Sequence, residues 1–163
     1  MHALAPVVVL KDREHPDRPR DSVVVGTDGS AGSQPCLAYA FEQAVSRGTS
    51  LEAVYAWSAE SAGWIPGASL VTATHRMERQ GQLLLAEALA GWAEKYPGVQ
   101  VRRSVVQGDP VSALVERSDG AQLLVVGSRG RGGFAGLVLG SVSHGVLQEA
   151  GCPVAVVRAD PGR

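Results

Sequence analysis

The residues best placed to do chemistry are Gly127, Gly130, Gly140, Ser141 and Ser143, spread over seventeen positions behind the apolar run Leu123-Leu124-Val125-Val126. The order is that of a strand, a glycine-rich loop and a helix start. Glycines let backbone N–H groups approach a ligand closely, and a helix N-terminus adds unpaired donors and partial positive charge, so the stretch suits an anion such as phosphate. Ser141 and Ser143 add hydroxyls. Two standard phosphate loops do not fit. Counted from Gly127, a Walker loop needs lysine where Gly133 stands, and the order G-x-x-G-x-G-G is not the dinucleotide G-x-G-x-x-G. No nucleophile-base pair, carboxylate dyad or metal cluster stands out by spacing, so turnover has no support in the sequence.

These residues must be carried by a scaffold, and the chain reads as alternating strands and helices. Ser22 to Gly26 is a β-branched run without polar alternation, as for a strand covered on both faces, and Thr27-Asp28-Gly29-Ser30 ends it in turn residues. A helix follows over Pro35 to Arg47, stopped by Gly48, then a second strand from Leu51 to Trp57. Ser58 to Leu70 has no period and reads as a long loop. Thr72 to Tyr96 reads as one long helix closed by Pro97-Gly98. Val99 to Val106 is the third strand, and Asp109-Pro110 opens a short helix as N-cap and first residue. Gln122 to Val126 makes the fourth strand, Ser141 to Ala150 the last helix with Gly151 as its stop, and Val154 to Val157 the fifth strand. The pattern βαβαβαβαβ predicts an α/β fold, a doubly wound parallel sheet with helices on both faces. Ligands of such sheets bind at the carboxyl ends of the strands, where the winding reverses.

The spacing G-x2-G-x9-G-[S/T], met by Gly127, Gly130, Gly140 and Ser141, resembles the nucleotide-binding motif of the ATP-binding branch of the universal stress protein family. The resemblance extends to Val23 to Ser30, to Gln107-Gly108-Asp109-Pro110 and to Gly151-Cys152-Pro153-Val154-Ala155-Val156-Val157, about Asp21 to Arg158 in all. It implies an adenine nucleotide alpha hydrolase-like fold of five strands in the order 3-2-1-4-5, which makes the first and fourth strands neighbours. It implies ATP with Mg²⁺ as ligand, Asp28 against the nucleoside, Val54 and Val126 near adenine in addition to their core role, and Thr27, Arg129, Val142 and Ser143 within the same site. Asp28 also has a plain reading as a turn residue, Ser141 as a helix cap, and Arg129 and Arg131 as solubilising charges. His144, one turn after Ser141, is read as exposed or packed, with approach to a phosphate as the alternative. The resemblance further implies a homodimer through Val154 to Val157, a short apolar strand expected at an open sheet edge.

Composition sets the outer limits. The chain has 163 residues, 45% hydrophobic and 19% charged, with a net charge of −1. That length suits one domain burying roughly two thirds of its unfolded surface, without bulk attraction for nucleic acid or anionic membranes. The apolar runs fall far short of a membrane span and the N-terminus lacks a signal-peptide pattern, so a cytoplasmic protein is expected. Cys36 and Cys152 are expected as buried small hydrophobes, and His2, His15, His75 and His144 lack ligand spacing. Residues 1–20, apolar and then charged and proline-bearing, are expected to stand as a disordered tail outside a domain of residues 21–163, with a strand added to a sheet edge by Val7-Val8-Val9-Leu10 as the alternative.

Three functions compete on this reading: a nucleotide-dependent regulator of stress adaptation, a dimeric scaffold of the same fold that binds no nucleotide, and a nucleotidyl transferase or ATP pyrophosphatase. The intact glycine spacing disfavours the second. The third lacks the H-I-G-H and S-G-G-x-D-S patterns of such enzymes, so at most slow ATP hydrolysis is expected.

Overall fold

A computed structural model describes residues 6–11, 21–58, 69–128, 130 and 139–158. Its strands are β1 (Val7–Val9), β2 (Ser22–Gly26), β3 (Ser50–Trp57), β4 (Val101–Gln107), β5 (Leu123–Gly127) and β6 (Val154–Val157). Its α-helices are α1 (Gln34–Arg47), α2 (Leu70–Ala88), α3 (Trp92–Lys95), α4 (Pro110–Arg117) and α5 (Ser141–Glu149), with a 3₁₀ turn at Ala31–Ser33 leading into α1. The sheet order is β1-β6-β5-β2-β3-β4. The five parallel strands thus stand in the expected order, and β2 and β5 are neighbours with Val25 opposite Val125.

Both faces of the sheet are covered, which is why its central strands read as continuous apolar runs. Val23, Val25, Leu51, Ala53 and Leu123 point to one side, where Leu37, Phe41 and Ala44 of α1 and Leu85 of α2 complete a layer. Val24, Val54, Leu124, Val126, Val154 and Val156 point to the other, against Leu114 of α4 and Val146 of α5. Glycines set how closely the helices approach. A Cβ at Gly145 of α5 would lie 2.6 Å from Val111 of α4, and one at Gly81 of α2 would lie 2.7 Å from Val105.

The fold departs from the sequence reading at three places. First, the sheet has six strands and not five, because Val7–Val9 pairs antiparallel with β6, Val8 opposite Ala155. These residues therefore do not stand outside the sheet as a tail, and β6 does not lie at an open edge. Second, the helix expected over Thr72 to Tyr96 is broken: Gly91 adopts φ 80°, and α3 restarts at Trp92. The break turns Trp92 and Tyr96 to stack on Phe41 with ring centroids 5.4 Å away in each case, contacts that a continuous helix would aim elsewhere. Third, α5 ends on Ala150 in extended conformation, and Gly151 is not left-handed. Gly48, by contrast, closes α1 in the left-handed region at φ 61° as expected. No helix among the described residues is long and apolar enough to cross a membrane.

Candidate functional site

The adjacency of β2 and β5 brings two turns together at the carboxyl end of the sheet. The turn after β2 is closed by its own side chains. The Gly29 N–H donates to Thr27 Oγ1 (3.1 Å), the Thr27 hydroxyl to Ser33 Oγ (2.9 Å), and the Ser33 hydroxyl to the Ser30 carbonyl (2.7 Å). The Thr27 N–H is held by the Val54 carbonyl of β3 at 3.0 Å. Thr27 is thus a buried brace for the turn and its hydroxyl is fully engaged. Gly29 has φ 73°, and an added Cβ would overlap the Leu84 side chain of α2, so glycine is required there on both counts.

Asp28 is treated differently at its two oxygens. Oδ1 accepts from the Ser30 N–H (2.9 Å) and hydroxyl (2.7 Å). Oδ2 is buried and, among the described residues, has no hydrogen-bond partner. A buried carboxylate oxygen without a donor is costly, and such an atom marks a place for one. A Cβ at Gly130 would lie 3.7 Å from this same oxygen. The glycine loop after β5 and the aspartate after β2 therefore share one crevice, which the sequence placed together only through an assumed strand order.

On the other side, Ser128 holds the glycine loop to the start of α5. Its N–H donates to the Val157 carbonyl (2.8 Å), and its carbonyl accepts from the Gly140 N–H (2.6 Å). The Ser143 hydroxyl faces the same two residues, 2.9 Å from the Gly140 carbonyl and 3.3 Å from that of Ser128. That hydroxyl, 2% exposed as a residue, is committed to the loop and is not the free donor expected of it. The N-cap of α5 is Gly140, in extended conformation with no side-chain cap, which makes Ser141 the first helical residue and not the cap. The N–H groups of Ser141, Val142 and Ser143 have no acceptor within the helix, and the first turn carries no acidic residue. Ser141 and His144 are exposed.

Val54 lies in the middle of β3 opposite Gly26, and Val126 precedes the last residue of β5; they are 1% and 3% exposed, packed in the core. Gly127 ends β5. Arg129 and Arg131 lie outside the described residues, as does most of the expected loop from Ser58 to Leu70. The sequence reading missed Ser33 and Ser128. Ser128 sits inside the glycine motif, a signal that was available; Ser33 engages Thr27 only through the fold.

Other polar groups are accounted for elsewhere. Glu52, buried on β3, accepts from Ser104 Oγ at 2.6 Å and lies 3.4 and 3.9 Å from Arg117 and Arg102. Its carboxylate is thereby consumed in holding α4 and β4. Cys36 and Cys152 are free and buried, as expected. Burial, and secondarily the Asp28 charge, push the Cys36 thiol up to about 11, so it stays protonated and unreactive at neutral pH. A cavity of about 660 Å³ opens at the opposite end of the sheet, near Asp21, Val45, Thr49 and Gln100. There the Thr49 and Ser50 hydroxyls both turn to the Asp21 carbonyl, and no set of charged groups converges. The crevice between β2 and β5, where Gly130 of the glycine loop meets an aspartate oxygen without a partner among the described residues, is the stronger candidate site. Among the described residues no cluster of three or more His, Cys, Asp or Glu is placed to hold a metal.

Comparisons with known proteins agree with this architecture. The model of the universal stress protein family matches residues 19–158. Universal stress protein Rv2623 of Mycobacterium tuberculosis is 46% identical over 159 residues, covering 96% of this chain and 52% of that protein. A universal stress protein of Mycolicibacterium smegmatis is 44% identical over 158 residues, again covering 96% of this chain and 52% of its own length. The chain spans about half the length of the curated relatives it matches. Among solved structures, a universal stress protein in complex with cAMP superposes with a TM-score of 0.62 at 29% identity, over 87% of this chain and 99% of that one. A universal stress protein from Archaeoglobus fulgidus in complex with dAMP has the same fold at TM-score 0.52 and 19% identity, over 84% of this chain and 97% of that one. With the family model matched over nearly the whole chain, the glycine spacing intact and the sheet order in agreement, the chain belongs to the universal stress protein family.

Proposed function

We propose that the crevice between β2 and β5 binds an adenine nucleotide, ATP with Mg²⁺, and that the protein is a nucleotide-dependent regulator of stress adaptation. The single observation that carries this is the buried, partnerless Asp28 Oδ2 lying against Gly130 of the glycine loop. Electrostatics orients the ligand. The Asp28 carboxylate repels phosphate and accepts from a ribose hydroxyl or a base amino group, whereas the uncapped start of α5 attracts phosphate. The nucleoside therefore lies toward β2 and the phosphates toward Gly127, Gly130 and the N–H groups of Ser141, Val142 and Ser143, with Arg129 as a further phosphate contact. Val54 and Val126 form the floor under the base. Mg²⁺ takes its ligands from phosphate and water, its usual mode where few carboxylates are offered. The cAMP complex of the relative at 29% identity favours an adenine ligand.

Because the sequence singles out no nucleophile-base pair and Asp28 faces the nucleoside in this reading, hydrolysis is at most slow, far below the roughly 10 per second of ordinary enzymes. A cytoplasmic location belongs to the same reading. So does homodimerisation through Val154–Val157, but only in a state from which β1 has left. The competing reading is a dimeric scaffold that binds no nucleotide. Mass spectrometry of small molecules released by denaturing the purified protein, with calorimetric titration of ATP, GTP and AMP, separates the two. Saturable adenine-selective binding supports the proposal; its absence in folded protein leaves the scaffold.

A further inference from the structure

We infer that the edge of β4 is a docking site for an extended segment of another protein, one with two consecutive acidic residues, which joins the sheet as a further strand. The sheet ends differently at its two sides. At one side β1 covers β6, whereas among the described residues nothing pairs with the outer side of β4. The register defines which groups this leaves outward. Leu51 donates to the Gln100 carbonyl (2.9 Å) and Gly108 to that of Trp57 (2.8 Å), so the main-chain groups of Arg102, Ser104 and Val106 turn toward β3. By alternation the N–H and C=O groups of Val101, Arg103, Val105 and Gln107 turn away from the sheet. Among the described residues none of these groups has a hydrogen-bond partner.

The edge is preformed. β4 runs for seven residues without proline or bulge, in unbroken register with β3. It is held from within by the Ser104 hydroxyl, which donates to Glu52 Oε1 at 2.6 Å, and by Val105 against Gly81 of α2. Such an edge supplies main-chain bonding without rearrangement, and the side chains beside it select the partner. Here those side chains are basic. Arg102 and Arg103 are consecutive, so they point to opposite faces, and both are exposed. Arg102 shares the single Glu52 carboxylate with Arg117 of α4, at 3.9 and 3.4 Å, and the two arginine side chains are 76% and 42% exposed. Arg103 has no ion pair among the described residues. In an added strand the residue opposite Arg102 projects to the α4 side and its neighbour opposite Arg103 to the α2 side, so two consecutive acids meet both arginines. β-branched residues suit the flanking positions opposite Val101 and Val105. A second copy of this chain would bring its own Arg102 and Arg103 to the same seam, where like charges oppose pairing. This inference does not depend on nucleotide binding.

The test is a titration of the isotope-labelled full chain, read by its backbone amide resonances, with blocked heptapeptides of valine and threonine that carry either two central glutamates or two central lysines. The glutamate peptide is expected to shift the amides of Val101, Arg103, Val105 and Gln107 and to bind roughly tenfold more tightly than the lysine peptide. N-methylating every second residue of the glutamate peptide should abolish binding in one phase and spare it in the other, because only one side of an added strand bonds to β4. Arg103→Glu, verified as folded by its melting curve, should remove most of the preference for glutamate over lysine. β4 amides of the folded parent that stay unmoved at millimolar glutamate peptide overturn the inference. So does equal binding of the two peptides, or N-methylation without effect in either phase. Shifts centred on His75, Arg76 and Arg79 of α2 place the acidic segment elsewhere and overturn it, and β4 shifts that follow protein concentration without peptide assign the edge to a second copy and overturn it too.

Discussion

Helices α4 and α5 begin at the same end of the sheet, lie on the same face and pack against each other, but their first turns are built in opposite ways. In α4 the Asp109 carboxylate accepts from the Ser112 N–H at 2.9 Å and hydroxyl at 3.2 Å, and Pro110 supplies no N–H that would need a partner. That helix start is chemically closed. In α5 the cap position is Gly140, no side chain reaches back, and the N–H groups of Ser141, Val142 and Ser143 have no acceptor within the helix. A glycine gives up the helix-capping stabilisation that Asp109 provides, and the donors it leaves free are those a phosphate would use. The same contrast holds for α2, where Ser69 caps through the Thr72 N–H at 3.2 Å. The difference separates a helix terminus built for stability from one open to a ligand.

The contrast can be broken most severely by making α5 resemble α4. Gly140→Asp brings no backbone strain, since Gly140 has φ −79°. The new carboxylate would occupy the free N–H groups and repel phosphate, so ATP affinity should fall by about 3 kcal/mol, roughly a hundredfold or more. Thermal stability should rise with the new cap, by about 0.5 to 1 kcal/mol. Loss of binding with a gain in melting temperature is a result that mere misfolding cannot produce.

Next in size is Gly29→Ala, which forces a Cβ into the left-handed region and against Leu84. A loss of about 2 kcal/mol of stability is expected, read by denaturant titration, with ATP binding weakened because Asp28 is displaced. Ser141→Ala removes one exposed hydroxyl beside the proposed phosphates and should weaken ATP by about 1 to 2 kcal/mol in calorimetric titration, without affecting stability. The smallest binding effect belongs to Asp109→Ala. It should cost about 1 kcal/mol of stability by uncapping α4 and leave ATP affinity unchanged, which would sharpen the contrast from the other side.

Much of this was legible in the sequence because the information is local. Asp109-Pro110 announces its helix, Gly48 ends α1, and the valine-rich runs without polar alternation reveal strands buried on both faces. The Gly127-x2-Gly130-x9-Gly140 spacing marked the candidate site for the same reason. What stayed hidden depends on partners distant in the chain. Val7–Val9 is too short to show a period, and its pairing partner β6 lies nearly the whole chain away. The break at Gly91 was masked by apolar residues that continue at helical spacing to Trp92, and its cause, stacking on Phe41 of α1, is tertiary. Ser143 read as a ligand donor because the sequence does not reveal that its hydroxyl turns inward to Gly140 and Ser128.

The central claim is that the crevice joining Asp28 to the uncapped start of α5 is a nucleotide site. Its most direct test is calorimetric titration of ATP with Mg²⁺ into the parent and Gly140→Asp proteins side by side, each verified as folded by its melting curve. The account predicts saturable binding to the parent and a loss of about a hundredfold in the variant, which should melt at the same temperature or slightly higher. Equal affinity in the two proteins, or no binding by a well-folded parent at millimolar ATP, would contradict it.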